Sequence, residues 1–314
     1  MRTALLLLLG LVVVACSDAQ PGSGRKVVGF AQIGAESAWR TANTRSIKEE
    51  AARRGWDLRF SDAQQKQENQ ILALRTFIAQ GVDAIILPPI VETGFEPVLR
   101  DAKAAGIPVV LTDRSVEVTD PSLFTTFIGA DFVEEGRRAA AWLAKTTGGK
   151  AMIAELEGSV GAAPAIDRKK GFASGVAGYP DMKVVWAQSA DFTRAKGKEA
   201  LEAFLKTPEG RGITAVYAHN DDMALGALQA LAEAGRKPGV DVFVVSIDGV
   251  RAAFEAVAAG TLGCTVECNP IIGPLVFDVL EKIGRGEAVE RRIVTPGGVF
   301  DASNVREALP TRAY

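Results

Sequence analysis

Short aliphatic runs alternate with segments of helical period along most of this chain. Residues 26–30 read as a strand. Residues 41–54 read as a helix that brings Ile47 and Ala51 to one face before Gly55 closes it. The rhythm continues with strands at 57–60, 84–87, 107–111 and 124–128. Helices separate them at 68–80, carrying Ile71, Leu74 and Ile78, and at 95–105. Strands this continuous in aliphatics are buried on both faces, which suits a parallel sheet covered by helices. Right-handed crossovers then restrict the topology to a doubly wound sheet. The pattern restarts with a helix at 133–145 and a strand at 151–155. A helix follows Asp167 and contains Phe172 and Val176. Strands at 183–187, 213–217 and 242–247 alternate with helices at 196–206 and 222–234. Beyond Val250 a helix, a strand at 263–268, a helix at 271–283 and one last strand at 292–295 are expected. The fold class is therefore α/β, with two doubly wound parallel-sheet lobes and a chain that crosses between them more than once. A cleft between such lobes is a usual place for a small ligand.

The ends change the picture first. Arg2 followed by an apolar run over residues 4–15 is too short to span a bilayer and reads as a secretory signal. The run ends in Val13-Val14-Ala15-Cys16, which resembles the bacterial lipoprotein processing box. The polar stretch from Ser17 to Gly24 behind it suits a tether, with Cys16 lipidated. Ordinary cleavage near Ala15 or Ala19 is the alternative.

The remaining length is comfortable for two cores. Lys and Arg total 36 against 38 Asp and Glu, so no basic face advertises nucleic acid. Cys264 and Cys268 lie four residues apart in one strand, roughly 13 Å in extended chain and far beyond disulfide reach. Buried thiols are expected. With His219 as the only imidazole they make a poor metal set, so no metal and no cofactor are expected.

The candidate chemistry gathers at the carboxyl ends of the strands. Glu36-Ser37-Ala38-Trp39-Arg40 follows the first strand and Asp113-Arg114 the fourth. Ionised carboxylates accept from adjacent hydroxyls, guanidinium groups donate along a fixed fork, and an aromatic face covers the C–H face of a sugar ring. Asp248 follows the strand at 242–247 in the same way. Asn220 offers both a donor and an acceptor, and Asp221 or Asp222 is read as the cap of the following helix. Arg168, placed at a helix start, is disfavoured by the helix dipole and so calls for a ligand or carboxylate partner. Phe192 is read either as a second cover for the ring or as a loop plug, and Trp39 either as a ring cover or as a core residue. Nucleophile elbows, phosphate loops and dinucleotide loops are missing from the sequence. The carboxylates among arginines are kept ionised, whereas a general acid needs a raised pKa.

Several long stretches then resemble the periplasmic sugar-binding proteins of the ribose-binding type that serve ABC importers, and within them the galactofuranose-binding branch. They are Val28-Gly29-Phe30 through Arg40, Asp62-Ala63-Gln64-Gln65-Lys66-Gln67-Glu68-Asn69-Gln70, Ala165-Ile166-Asp167-Arg168-Lys169-Lys170-Gly171-Phe172, Gly197-Lys198-Glu199 and Tyr217-Ala218-His219-Asn220-Asp221-Asp222-Met223. The resemblance implies a three-strand hinge of the type I periplasmic binding protein kind. It divides the chain into a signal and tether over 1–24, an N-terminal lobe over 25–127 plus 268–290, and a C-terminal lobe over 128–267 plus 291–314.

It also implies a monosaccharide, galactofuranose first, held by Glu36, Ser37, Ala38, Trp39, Arg40, Asp113, Arg114, Arg168, Phe192, Asn220 and Asp248. An inner-membrane ABC permease is the implied partner and a monomer in the periplasm the implied state, with membrane attachment only through a lipid on Cys16. Ribose binders carry a glutamine where this chain has Glu267-Cys268-Asn269-Pro270. That speaks against ribose and gives Glu267 a role at the hinge. A sensor protein feeding a chemoreceptor or histidine kinase, and an exported carbohydrate-active enzyme, are the competing readings.

Overall fold

The computed structural model describes residues 25–314, so Cys16 and the expected leader lie outside the described residues. The first lobe runs β1 (Val27–Gln32), α1 (Ala38–Arg53), β2 (Asp57–Asp62), α2 (Gln67–Ala79), β3 (Ala84–Leu87), α3 (Glu96–Ala104), β4 (Val109–Thr112) and β5 (Thr126–Gly129). The second runs α4 (Phe132–Thr147), β6 (Lys150–Glu157), α5 (Ala163–Val176), β7 (Asp181–Ser189), α6 (Arg194–Leu205), α7 (Pro208–Arg211), β8 (Ala215–Ala218), α8 (Asp221–Glu233), β9 (Phe243–Asp248), α9 (Arg251–Ala258) and β10 (Cys264–Glu267). The tail adds α10 (Gly273–Gly284), β11 (Arg292–Val294), β12 (Val299–Asp301) and α11 (Val305–Ala308).

The two sheets share one order, β11-β5-β4-β3-β1-β2 and β12-β10-β9-β8-β6-β7. All pairings are parallel except β12 against β10. In each sheet the order reverses beside the first strand of the lobe, at β1/β3 and β6/β8. A doubly wound sheet opens its ligand crevice at the carboxyl ends of the strands at such a reversal. Strands β3, β4 and β8 are buried at every position. Two apolar clusters cover the two faces of the first sheet, and one large cluster fills the second lobe.

The chain crosses between lobes after β5, after β10 and after β11, as the three-strand hinge requires. Two boundaries differ from expectation: residues 128–129, assigned above to the second lobe, complete β5 in the first sheet, and the last crossing moves as well. Residues 292–294, assigned above to the second lobe, pair with β5 in the first sheet, and the crossing comes only after Val294. Arg292 explains the choice, since its guanidinium donates to the Phe127 and Ala130 carbonyls and stacks over the Phe127 ring at 4.0 Å. A strand at Val299–Asp301 was not expected. It is three residues long behind Gly297-Gly298, with no period to read, and is fixed by pairing with β10. Cys264 and Cys268 are free and buried.

Candidate ligand-binding site

Ser37 starts the site. Its hydroxyl caps α1 by accepting from the Arg40 amide at 3.1 Å, so the helix begins at Ala38, three residues before the expected start. Trp39 and Arg40 thereby occupy the first turn. Asp113 stands just past β4 with φ 61°, and Asp248 ends β9 with φ 130°. A non-glycine residue in this region carries backbone strain, which is tolerated where it serves a site. Phe192, at φ 61°, does the same in the loop before α6. Its ring lies where a side chain on Gly158 would be, 1.9 Å from that missing Cβ, so only glycine fits there.

All the ligand-binding candidates except Ala38 line one cavity between the lobes. Pro164, in the first turn of α5, joins them. It was missed although it obeys the same rule, a helix start behind the carboxyl end of a strand. Ala38 instead faces across the gap, its amide donating to Asp222 Oδ2 at 2.7 Å.

Charge in the cavity is balanced and buried. Arg40 donates to Glu36 Oε1 at 3.0 Å and to Asp113 Oδ2 at 2.6 Å. Arg114 lies 3.8 Å from Glu36 and 3.7 Å from Asp113. Arg168 donates to Glu135 at 2.9 Å and to the His219 carbonyl at 2.6 Å, with Asp248 at 3.5 Å. Burial works to push the Glu36 carboxyl up, but Arg40 and Arg114 outweigh it and hold the group below 4.5. Burial, and then Arg40, bring Arg114 down to about 10, so it stays charged at neutral pH. Burial pushes Asp248 well up against the pull of Arg168. The carboxyl groups of Glu36, Asp113 and Asp248 thus face the guanidinium groups of Arg40, Arg114 and Arg168, with Asp248 the one that burial favours protonated.

Hydrogen-bonding capacity in these walls is not used up. Glu36 Oε2, Arg40 Nη1 and Arg114 Nε are buried without a partner. Unpaired buried groups are costly unless something fills the space between them.

Two of the sequence readings change, and Trp39 combines the two left open for it. Arg168 sits in the second turn of α5, not at a helix start, because α5 begins already at Ala163. Its partner is Glu135 on α4, which the sequence reading passed over. Two glycines allow that approach. A Cβ on Gly136 would stand 2.2 Å from the Arg168 carbonyl, and one on Gly171 would stand 2.0 Å from the Val133 carbonyl. The cap of α8 is Asn220, not Asp221 or Asp222. Its Oδ1 accepts from the Met223 amide at 2.9 Å, and its Nδ2 donates to the Phe192 carbonyl at 3.0 Å. Asp221 is buried and accepts from Ser246, Thr265 and the Val250 amide. Trp39 lines the cavity, but Arg40 stacks over its ring at 4.7 Å and its Nε1 donates to the Cys268 carbonyl at 2.5 Å.

Behind the cavity, His219 Nε2 lies 2.9 Å from Glu155 Oε1. The Gly158 amide donates to Nδ1 at 3.3 Å, which puts the ring proton on Nε2. Burial lowers the His219 pKa, so the ring is a neutral strut. Glu267 lies at the hinge, away from the cavity, where it accepts from Arg312, Tyr314 and the Gly298 amide. Among the described residues no group of His, Cys, Asp and Glu is arranged to hold a metal ion.

Comparison with known proteins agrees with this architecture. Residues 28–288 match the periplasmic binding protein domain family. The chain is 49% identical over 285 residues to the galactofuranose-binding protein YtfQ of Escherichia coli K12, covering 90% of each. It superimposes with a TM-score of 0.89 and 52% identity on the periplasmic binding component of the arabinose ABC transporter of Shewanella sp. ANA-3, a structure bound to α- and β-L-arabinofuranose, covering 92% of this chain and 96% of that one. The same TM-score, at 50% identity and 92% and 95% coverage, relates it to a Mycobacterium smegmatis protein in complex with β-D-fucofuranose. Two crevice-forming sheets, a three-strand hinge and these matches along nearly the whole described chain lead to one assignment: the chain belongs to the periplasmic sugar-binding proteins of the ABC-importer family.

Proposed function

We propose that this protein captures a neutral furanose sugar, galactofuranose first, in the interlobe cavity and delivers it to an inner-membrane ABC permease. One observation carries the reading. The interlobe cavity is walled by facing carboxyl and guanidinium groups that still hold unused acceptors and donors. Carboxyl acceptors set against guanidinium donors suit an uncharged ligand with many hydroxyls, and a polyol offers donor and acceptor at every carbon. Asp113, Glu36 and Asp248 accept from hydroxyls, Arg40, Arg114 and Arg168 donate to ring and hydroxyl oxygens, and Phe192 covers an apolar face. Relatives whose structures hold arabinofuranose and fucofuranose support a five-membered ring. The protein works as a monomer, tethered through lipid on Cys16.

Calorimetry with D-galactose, L-arabinose, D-fucose and D-ribose tests the sugar, and carbon NMR of bound labelled galactose tests the ring. Binding of galactose with a furanose anomeric signal is expected. A pyranose signal, or no binding of any of the four, overturns the reading.

A further inference from the structure

A second hollow of about 470 Å³ adjoins the cavity and shares two of its walls, Glu36 and Arg114. Both lobes build it. Gln65, Ile90 and Val91 come from the first, and Ser159, Val160 and Asp191 from the second. The shared wall is where the site's capacity is least used. Glu36 Oε1 is engaged by Arg40, whereas Oε2 has no partner on a side chain only 3% exposed. Its direction can be read at Gly34, where an added Cβ would stand 3.1 Å from Gln65 Cγ and 3.4 Å from Glu36 Oε2. The free oxygen therefore stands beside Gln65, on the side of the second hollow. Arg114 Nε also lacks a hydrogen bond, its nearest acid being Asp113 Oδ2 of the cavity at 3.7 Å. The buried Glu36 acceptor is satisfied best by a ligand group that reaches it from the hollow.

The chemistry of the hollow narrows the ligand. Isoleucine and valine faces alternate with an amide, a hydroxyl and a carboxylate, the mixture that receives a sugar ring. Asp191 is paired with Lys196 at 2.5 Å, so the hollow offers no surplus cation to an anionic group.

We propose that the hollow is a subsite for an O-linked substituent, so that the protein binds furanosides and short furanosyl oligosaccharides as well as the free sugar. The proposal rests on the sugar-binding reading above. Calorimetry with D-galactose, methyl β-D-galactofuranoside and a β-linked digalactofuranoside tests it, since either unit of the disaccharide can take the cavity. The disaccharide is expected to bind within about tenfold of the methyl furanoside. Two substitutions probe the hollow alone. Val160→Trp fills it from a position 81% exposed. Gln65→Asn withdraws the amide while tolerating the left-handed backbone at φ 59°. Each should weaken the disaccharide about tenfold and leave galactose within about twofold. If galactose binds but both furanosides bind more than about a hundredfold more weakly, the subsite is overturned and the sugar reading stands. Variants that weaken both sugars equally, or neither, overturn it too. If neither galactose nor a furanoside binds, both readings fall together.

Discussion

Asp113 is the carboxylate on which the cavity depends most directly. One oxygen is held by Arg40 at 2.6 Å, its backbone is strained at φ 61°, and it lines the cavity beside Arg114. Asp113→Asn keeps the shape but places an amide donor where hydroxyl hydrogens point. Loss of one charge-assisted hydrogen bond costs about 1.5–3 kcal/mol, so affinity for the best sugar should fall roughly ten- to hundredfold in calorimetry. Unchanged affinity with an intact fold by circular dichroism would remove Asp113 from the site. Glu36 adds a pH dependence of definite sign. Its folded pKa lies below 4.5, so the ionised pair with Arg40 stabilises the fold above that value. The contribution is lost as pH falls from 4.5 through the folded pKa. Thermal melts at pH 7 and pH 4 should show the start of this loss, and Glu36→Gln should shrink the difference between the two. Glu36, Asp113 and Asp248 were legible from their place behind aliphatic strands, whereas Trp39, Arg168 and Phe192 came into view mainly through the family resemblance. Glu135 and Asp222 were not legible. Nothing in a helical sequence reveals that Gly136 and Gly171 bring two backbones together, or that an acidic residue in a first turn reaches an amide of the other lobe.

At the level of elements, α1 does more than present Arg40. Trp39, Asn43 and Ser46 fall on one face of the helix and all meet the second hinge crossing. Trp39 donates to the Cys268 carbonyl, Asn43 donates to the Pro270 carbonyl at 3.2 Å, and Ser46 accepts from the Gly273 amide at 2.9 Å. Asn43 also accepts from Gln32 at the end of β1, which ties strand, helix and hinge together. Asn43→Ala leaves the Pro270 carbonyl and the Gln32 amide buried without this partner. A loss of about 1–3 kcal/mol in urea unfolding is expected, with a smaller effect on sugar affinity than Asp113→Asn. An unchanged unfolding midpoint would show the hinge is held elsewhere. This face also explains why the pattern of apolar positions yielded the strands and helices but not the hinge. Polar side chains at helical spacing read as a solvated face, and only the return of the chain after β10 buries them. β12 escaped for the related reason that its identity comes from pairing and not from its own sequence.

For the whole molecule the question is what holds two lobes over a ligand. Besides the hinge, few bonds cross between them. The Ala38 amide donates to Asp222, the Glu92 amide donates to the Gly161 carbonyl at 2.9 Å, and Arg114 lies over the Phe192 ring at 5.3 Å. So small a direct contact leaves closure to depend on a ligand that touches Asp113 and Arg168 at once, because only the closed lobes offer both. Small-angle scattering should therefore show a smaller radius of gyration at saturating sugar than without it. Asp222 separates closure from recognition, since it bonds across the gap but does not line the cavity. Asp222→Asn weakens that bond and lowers the share of closed molecules. Apparent affinity falls in proportion to the competent fraction, so a loss of about three- to tenfold is expected with the order of preference among sugars unchanged. Asp113→Asn, by contrast, should alter that order, because it changes a group proposed to read hydroxyls. A scattering profile unmoved by saturating sugar would exclude ligand-driven closure. A changed sugar preference in Asp222→Asn would place that carboxylate inside the recognition site.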